Sequence, residues 1–270
     1  MGGSDLYAAD HHWGDDVIDL AARDLPALKA QYLVDALPRH GRALEIGCGG
    51  GRVLNTLATR RPELSLDGCD IRPLAYEPAE FTFTLVDPAR GDLPYEQGSF
   101  DAVIMFDVLE HAQDPIAMVK SARTVVRPGG TLVSFTPLEG QPFSFYRIYR
   151  RLLGDDLYVE TKEHLQSFSE ATLRALVSSA FTIRDTQFTY HLLGHFMDAT
   201  LFALLKIPSL RRRFWESNPY YRETRSCSTG SASPLGSIMR AANAVAYYES
   251  RALRHHRFAA AGMLFTATAD

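Results

Sequence analysis

Cysteine is scarce in this chain: Cys48, Cys69 and Cys227 are the only three in 270 residues. An odd number at wide spacing excludes a disulfide framework and offers no paired zinc-ligand motif. The adjacent His11 and His12, beside Trp13, do not supply one either, because neighbours on a helix point apart and no nearby cysteine completes a set. No metal site is expected. Nor is there a basic flank followed by an apolar core at the start, "MGGSDLYAADHHWGDD", so no secretory leader and a cytoplasmic location are expected. A membrane span of about 20 apolar residues is missing: "FMDATLFALLKI" is too short and carries Asp198 and Lys206. No internal repeat is visible, and no Gly-Lys-Ser/Thr follows a glycine loop, which excludes a nucleoside-triphosphate loop. The net charge of -4 and the lack of an organised basic motif argue against a nucleic-acid partner.

What the chain does contain is enough apolar material, 46% of its residues, for a sizeable core. From residue 43 onward strand and helix patterns alternate. "RALEIG", "LSLDGCDI", "FTFTLVD", "FDAVIMFD" and "TLVSFTP" read as strands, followed by "FTIRDTQFTY" and "FAAAGMLFTATA". Such alternation predicts βαβ units, hence an α/β fold with a doubly wound, mostly parallel sheet. Asp24 is placed to cap, and Pro26 to open, a helix with Ala30, Leu33, Val34 and Leu37 on its apolar face. Asp114-Pro115 begins another helix, "RPGG" at 127–130 predicts a turn, and Ser169 caps a third helix.

Two stretches break this rhythm. Residues 139–166 are rich in aromatics, among them Phe143, Phe145, Tyr146, Tyr149 and Tyr158. Residues 191–256 separate the last two strands and include "RRRFW". The expected organisation is an N-terminal helical lid (1–40), an α/β core (41–190 and 257–270, with a cap insert at about 139–166) and a helical substrate cap (191–256). Residues 195–260 hold 10 Lys+Arg against 4 Asp+Glu, whereas the rest of the chain holds 18 against 28. A basic segment on an acidic body leaves three uses open: an anionic surface, a phosphorylated substrate, or its own acidic neighbour.

The chemistry concentrates in "ALEIGCGGGRVL", residues 43–54. A strand ending in glycines and entering a helix brings bare backbone N–H groups close to a ligand. The spacing is Gly47-x-Gly49-x-Gly51, with Arg52 where a dinucleotide fingerprint has its third glycine. Glu45, Asp70 and Asp87 end the first three strands. Three carboxylates repel a phosphate but suit a ligand with an amino group, a ribose and a positive centre, such as S-adenosylmethionine.

From residue 43 to about 136 the sequence resembles the class I S-adenosylmethionine-dependent methyltransferases, through "LEIGCGGGRVL", "GCDI", "LPYEQGSFDAVIMFDVLEHAQDP" and "RPGGTL" in that order. "KEHLQSFSEATLRALVSSAFTI" also resembles the segment after the fifth strand in small-molecule and lipid-type members. The resemblance implies a seven-stranded sheet whose last strand is antiparallel. It further implies that Gly47, Cys48, Gly49 and Gly51 meet the methionine side of the cofactor, with Glu45 supporting the loop. Asp70 would hold the ribose, Ile71 would pack on adenine, Asp87 or else Asp92 would meet the adenine amino group, and Phe106 would line the pocket. Asp101 and Glu110 would fix the loop and helix around the fourth strand.

Methyl transfer needs alignment and exclusion of water, and a hydroxyl acceptor also needs a proton acceptor. His111 and His164 are the candidates, with Tyr146, Tyr149, His191 and His195 as candidate acceptor-binding residues. The aromatic, apolar inserts favour a small hydrophobic or lipid-like acceptor, with oxygen favoured over nitrogen or carbon. Residues 191–256 can equally form a homodimer interface or lie on an anionic bilayer, arginines at headgroup level. Two other classes remain on sequence grounds: a nicotinamide-dependent oxidoreductase, weakened by Arg52, and a non-catalytic binding module that keeps the cofactor fold.

Overall fold

The structure is a computed structural model, describing residues 14–74, 76–87, 92–154, 164–204, 207–210 and 234–270. His11, His12, Trp13, Tyr158, "RRRFW" and Cys227 lie outside the described residues. Seven strands form one sheet: β1 (Gly41–Ile46), β2 (Leu64–Asp70), β3 (Thr82–Leu85), β4 (Phe100–Phe106), β5 (Val126–Pro137), β6 (Thr182–Thr189) and β7 (Gly262–Thr268). Their order is β3-β2-β1-β4-β5-β7-β6. The first five run parallel, and β7 is antiparallel to both β5 and β6. The fold class read from the alternating pattern is therefore the one observed.

Two helices start where their caps dictate. Asp24 accepts from the Ala27 N–H to open α1 (Leu25–Ala36), and Asp114 accepts from the Ala117 N–H to open α3 (Pro115–Val125). Each has proline in its first turn, where the missing N–H costs nothing. Between them, α2 (Arg52–Arg60) follows the glycine loop. Further along are α4 (Phe145–Leu153), α5 (Glu170–Val177), α6 (Leu192–Leu204) and α7 (Pro234–Ala252). Ser169 opens α5 with a reciprocal capping box to Thr172. "RPGG" is not a free turn but an excursion inside β5: Phe100 pairs with Val126 and Ala102 with Thr131, so residues 127–130 bulge out. Gly129 there has φ +73°, which glycine alone adopts without strain.

Strand alternation divides the core between the two faces of the sheet. On one face Leu44, Ile46, Val103, Met105, Leu132 and Phe265 pack with Val119 and Ala122 of α3 and Leu173 and Val177 of α5. On the other, Ala43, Ala102, Ile104, Val133, Phe135 and Leu264 pack with Leu28 and Leu33 of α1, Leu54 and Leu57 of α2 and Tyr247 of α7. Each large side chain so buried contributes about 1.5–3 kcal/mol. With both faces covered, β4 needs apolar residues at nearly every position, which is why "FDAVIMF" does not alternate. The order of the strands reverses between β1 and β4, so a crevice opens at their carboxyl ends, where ligands bind in sheets of this type.

Candidate active site

The first wall of the crevice is the glycine loop after β1. Gly47, Gly49 and Gly51 have φ of 71°, 53° and 84°. The Gly47 and Cys48 N–H groups donate to the Cys69 carbonyl at 2.8 and 3.1 Å, tying the loop to β2. Space forbids a side chain as firmly as conformation does: a Cβ at Gly47 would stand 2.7 Å from Val108 Cγ2, and one at Gly51 2.6 Å from Phe81 Cζ. Gly51→Ala should cost about 1–2 kcal/mol through the left-handed backbone and the clash, read as a lowered urea midpoint. An unchanged midpoint would show that the loop tolerates a rearrangement.

Asp70 reaches back over this loop. Its Oδ2 accepts from the Gly49 N–H at 2.8 Å and its Oδ1 from the Arg72 N–H at 3.0 Å. Beside it Ile71 is 59% exposed and Leu85, at the end of β3, is 55% exposed, so two apolar surfaces stand open at the strand ends. A cavity of about 230 Å³ adjoins them, lined by Leu85, Val86, Asp87, Asp92 and Pro94. Both acids proposed for one contact, Asp87 and Asp92, thus share a single cavity.

Glu45 is buried, and its Oε2 has no partner. Loss of water, reinforced by the Asp70 carboxylate, pushes its pKa well above the usual range, and Lys29 opposes this. Lys29, on α1, pairs with Asp107 and lies 4.3 Å from the Phe135 ring centroid and 5.7 Å from that of Phe106. Nothing in the local sequence around Lys29 marked it. Arg52, which replaces a glycine of the dinucleotide fingerprint, pairs with Asp16 at 2.9 Å. Asn55 Nδ2 donates to the Asp15 carbonyl, and Thr56 Oγ1 accepts from the Ile18 N–H. So α2 clasps the segment leading into α1. Burial pushes the Cys48 thiol up and that of Cys69 up to about 12, so both stay protonated at neutral pH.

Opposite the loop, the residues after β4 and β5 converge. The rings of His111 and His164 meet edge to face at 4.9 Å. Glu110, His111 and His164 bring one ligand atom each within 4.8 Å of one another. Glu110 is buried with neither carboxylate oxygen partnered, and burial raises its pKa well above the usual range, reinforced by Asp107. His164 Nδ1 lies 2.8 Å from Glu139 Oε1. Glu139 and His164 are separated by 25 residues and both come from the first insert. The backbone braces this corner, as the Leu165 and Gln166 N–H groups both donate to the Glu110 carbonyl. Asp101 lies apart from it, accepting from the Arg42 N–H and from Arg127.

Tyr146, Tyr149, His191 and His195 make contacts among α4, α6 and the segment between α7 and β7. His195 Nδ1 faces the Ala259 carbonyl at 3.2 Å, so it carries the proton, and its Nε2 accepts from Ser144 Oγ at 3.3 Å. The Tyr146 ring lies 4.5 Å from His195, and its hydroxyl donates to Asp198. Tyr149 bonds Thr200 at 2.9 Å, and His191 Nε2 donates to the His256 carbonyl at 2.8 Å. Burial lowers the His191 pKa. The contacts of Tyr146, Tyr149 and His195 dock α4 on α6.

Comparison with known proteins agrees with this architecture. Residues 19–180 match the family described as "Methyltransferase domain". A ubiquinone biosynthesis O-methyltransferase of Xanthomonas campestris pv. campestris (strain B100) is 31% identical over 146 residues, 51% of this chain and 60% of that protein. One from Neisseria meningitidis serogroup C is 28% identical over 152 residues, 52% of this chain and 62% of that protein. The chain thus spans less than two thirds of these curated relatives. Among solved structures, a putative methyltransferase from Bacillus halodurans C-125 superposes with a TM-score of 0.55 at 14% identity, covering 89% of this chain and 97% of that one.

Proposed function

This chain belongs to the class I S-adenosylmethionine-dependent methyltransferases, and on that premise we propose that it methylates an oxygen of a small, hydrophobic or lipid-like acceptor. The observation that carries the reading is the grip of Asp70 on Gly49 at the switch point of the sheet, with Ile71 open beside it. Those residues fit the cofactor. A Cβ at Gly47 or Gly51 would fill the cradle, the Asp70 carboxylate favours a cation, and the exposed Ile71 offers an apolar shelf to a base.

S-adenosylmethionine supplies a methyl group on a sulfonium, so the acceptor oxygen forms the new C–O bond as the C–S bond breaks with its electrons going to sulfur. The protein's part is to bind, orient and keep water out. Asp70 keeps lone pairs for ribose hydroxyls beyond those given to the two backbone N–H groups. Asp87 or Asp92, which line one cavity, would accept from the adenine amino group, and Phe106 would line the pocket. At the far corner His164 Nδ1 faces Glu139 Oε1 at 2.8 Å, and in the tautomer that donates from Nδ1 the Nε2 is left as an acceptor.

The acceptor class rests on α4 and α6. Phe143, Leu152, Leu193 and Phe196 are exposed there, and Arg147, Arg150 and Arg151 share α4. Among the described residues no helix is long and apolar enough to cross a membrane. The same surface suits an anionic bilayer or a second copy of the chain. The oxygen preference draws on the relatives, whose names specify O-methylation.

Calorimetric titration with S-adenosylhomocysteine tests the reading without needing an acceptor. Saturable binding near one per chain is the expected result. A folded protein that does not bind it would overturn the proposal and return attention to a module that keeps only the fold.

A further inference from the structure

The run from Gly47 to Gly51 holds four glycines in five residues, a backbone so free to rotate that its shape has to be imposed from outside. Asp70 imposes part of it. The Gly49 N–H donates to that carboxylate and the Cys48 carbonyl takes the Gly51 N–H at 2.8 Å, so the Cys48–Gly49 peptide is held at both ends. The Gly50–Gly51 peptide is held in the same way: its N–H is the donor to Cys48, and its carbonyl accepts from the Tyr76 hydroxyl at 2.9 Å. Two fixed peptides leave the Gly49–Gly50 peptide between them little freedom to turn. We propose that Tyr76 is a positioning residue for the cofactor: its hydroxyl sets the loop in the shape that meets the ligand, and it ties that loop to residues 15–18 so that the two open together.

The tie is a continuous run of hydrogen bonds. Asn55 Nδ2 donates to the Tyr76 oxygen at 3.1 Å and to the Asp15 carbonyl at 2.7 Å, using both of its hydrogens. The Asn55 N–H donates to the Gly51 carbonyl at 2.8 Å, so the same residue also closes the first turn after the loop. Three residues beyond Asp15, Ile18 is buried against Ala27, Ala30 and Val53, and its N–H donates to Thr56 Oγ1 at 2.8 Å. Tyr76 reaches the loop past the bare side of Gly51, where a Cβ would stand 2.9 Å from the hydroxyl oxygen and 2.6 Å from Phe81 Cζ. The glycine is therefore needed for this bridge as well as for the turn.

Linkage gives the bridge its consequence. A ligand that binds only the held form of the loop stabilises every contact that form makes, those of residues 15–18 included. That the ligand is S-adenosylmethionine rests on the methyltransferase reading; the bridge itself does not.

The test follows amide hydrogen exchange of the full chain by NMR in wild type, Tyr76→Phe and Asn55→Ala, each with and without S-adenosylhomocysteine, alongside calorimetric affinities. Tyr76→Phe keeps the ring and removes only the hydroxyl. It should bind S-adenosylhomocysteine about three- to tenfold more weakly than wild type, the range for one lost hydrogen bond. In wild type the ligand should slow exchange of the Ile18 N–H, and in both variants most of that slowing should be gone. A side chain that merely packs would speed exchange by one factor with and without ligand, so the ligand-dependent difference is the deciding readout. Unchanged affinity in Tyr76→Phe overturns the positioning role, and an unchanged difference at Ile18 overturns the tie. If the urea midpoint shows Tyr76→Phe to be unfolded, Asn55→Ala, which removes the next link of the bridge, carries both comparisons. A folded wild type that binds no S-adenosylhomocysteine overturns the methyltransferase reading instead. The bridge is then decided in the free protein, where it stands if Tyr76→Phe speeds exchange at Ile18 and falls if it does not.

Discussion

Asp70→Ala is expected to weaken S-adenosylhomocysteine binding by 10–100-fold, about 1–3 kcal/mol. The effect has two sources. The carboxylate offers acceptors to a ribose, and it also fixes the Gly49 N–H at 2.8 Å, so its loss slackens the loop that the ligand meets. Asp70→Asn separates them, because the amide retains one acceptor for the loop but not the paired, charged acceptors that suit vicinal hydroxyls. It should fall between wild type and alanine. Calorimetry on the three proteins measures this, with urea midpoints to confirm folding. Equal affinities would move the ribose contact elsewhere and leave Asp70 as a loop brace only.

How much of this was legible in the sequence depended on whether the signal was local. The strand that runs into Gly47, the caps Asp24, Asp114 and Ser169, and the acid ending "LDGCD" are each contained in a few residues, and each stands where its spacing puts it. "RPGG" was legible as glycine-bearing but not as a bulge, because only the partner strand reveals that residues 127–130 leave the ladder. Pairings across the chain were invisible. Lys29 and Asp107 are 78 residues apart, Arg42 and Asp67 are 25 apart, and no local pattern joins them.

The far corner of the site shows the same limit from the chemical side. His111 and His164 were each legible as candidates for chemistry, since each follows a strand whose carboxyl end faces the crevice. Their meeting was not, because a cluster drawn from two distant segments, Glu110 and His111 after β4 and His164 beyond β5, has no spacing to read. Arg52 is the opposite case. The departure from a glycine pattern was visible, and its use, a pair with Asp16 that holds the segment before α1, came only with the fold.

Glu45→Gln should change how stability depends on pH more than it changes stability at any one pH. Burial raises the folded pKa of Glu45 well above the unfolded value near 4.5. Below that unfolded value the group is protonated in both states and costs nothing differential. As the pH climbs above it, the unfolded chain releases the proton while the folded protein retains it, so stability falls. The slope is about 1.4 kcal/mol per pH unit, and the loss continues until the folded carboxyl ionises. Glutamine does not titrate, so the variant should gain on the wild type steadily from pH 5 towards pH 8, whatever fixed cost its amide carries in a site built for a carboxyl group. Urea midpoints at pH 5, 6, 7 and 8, without ligand, give the two curves. If they run parallel, Glu45 is already charged in the folded protein, and Lys29, which opposes the rise in its pKa, has prevailed over burial. In that event Glu45 would stand beside the glycine loop as an anion, and Lys29→Met, by removing the opposing charge, would restore the divergence between the curves.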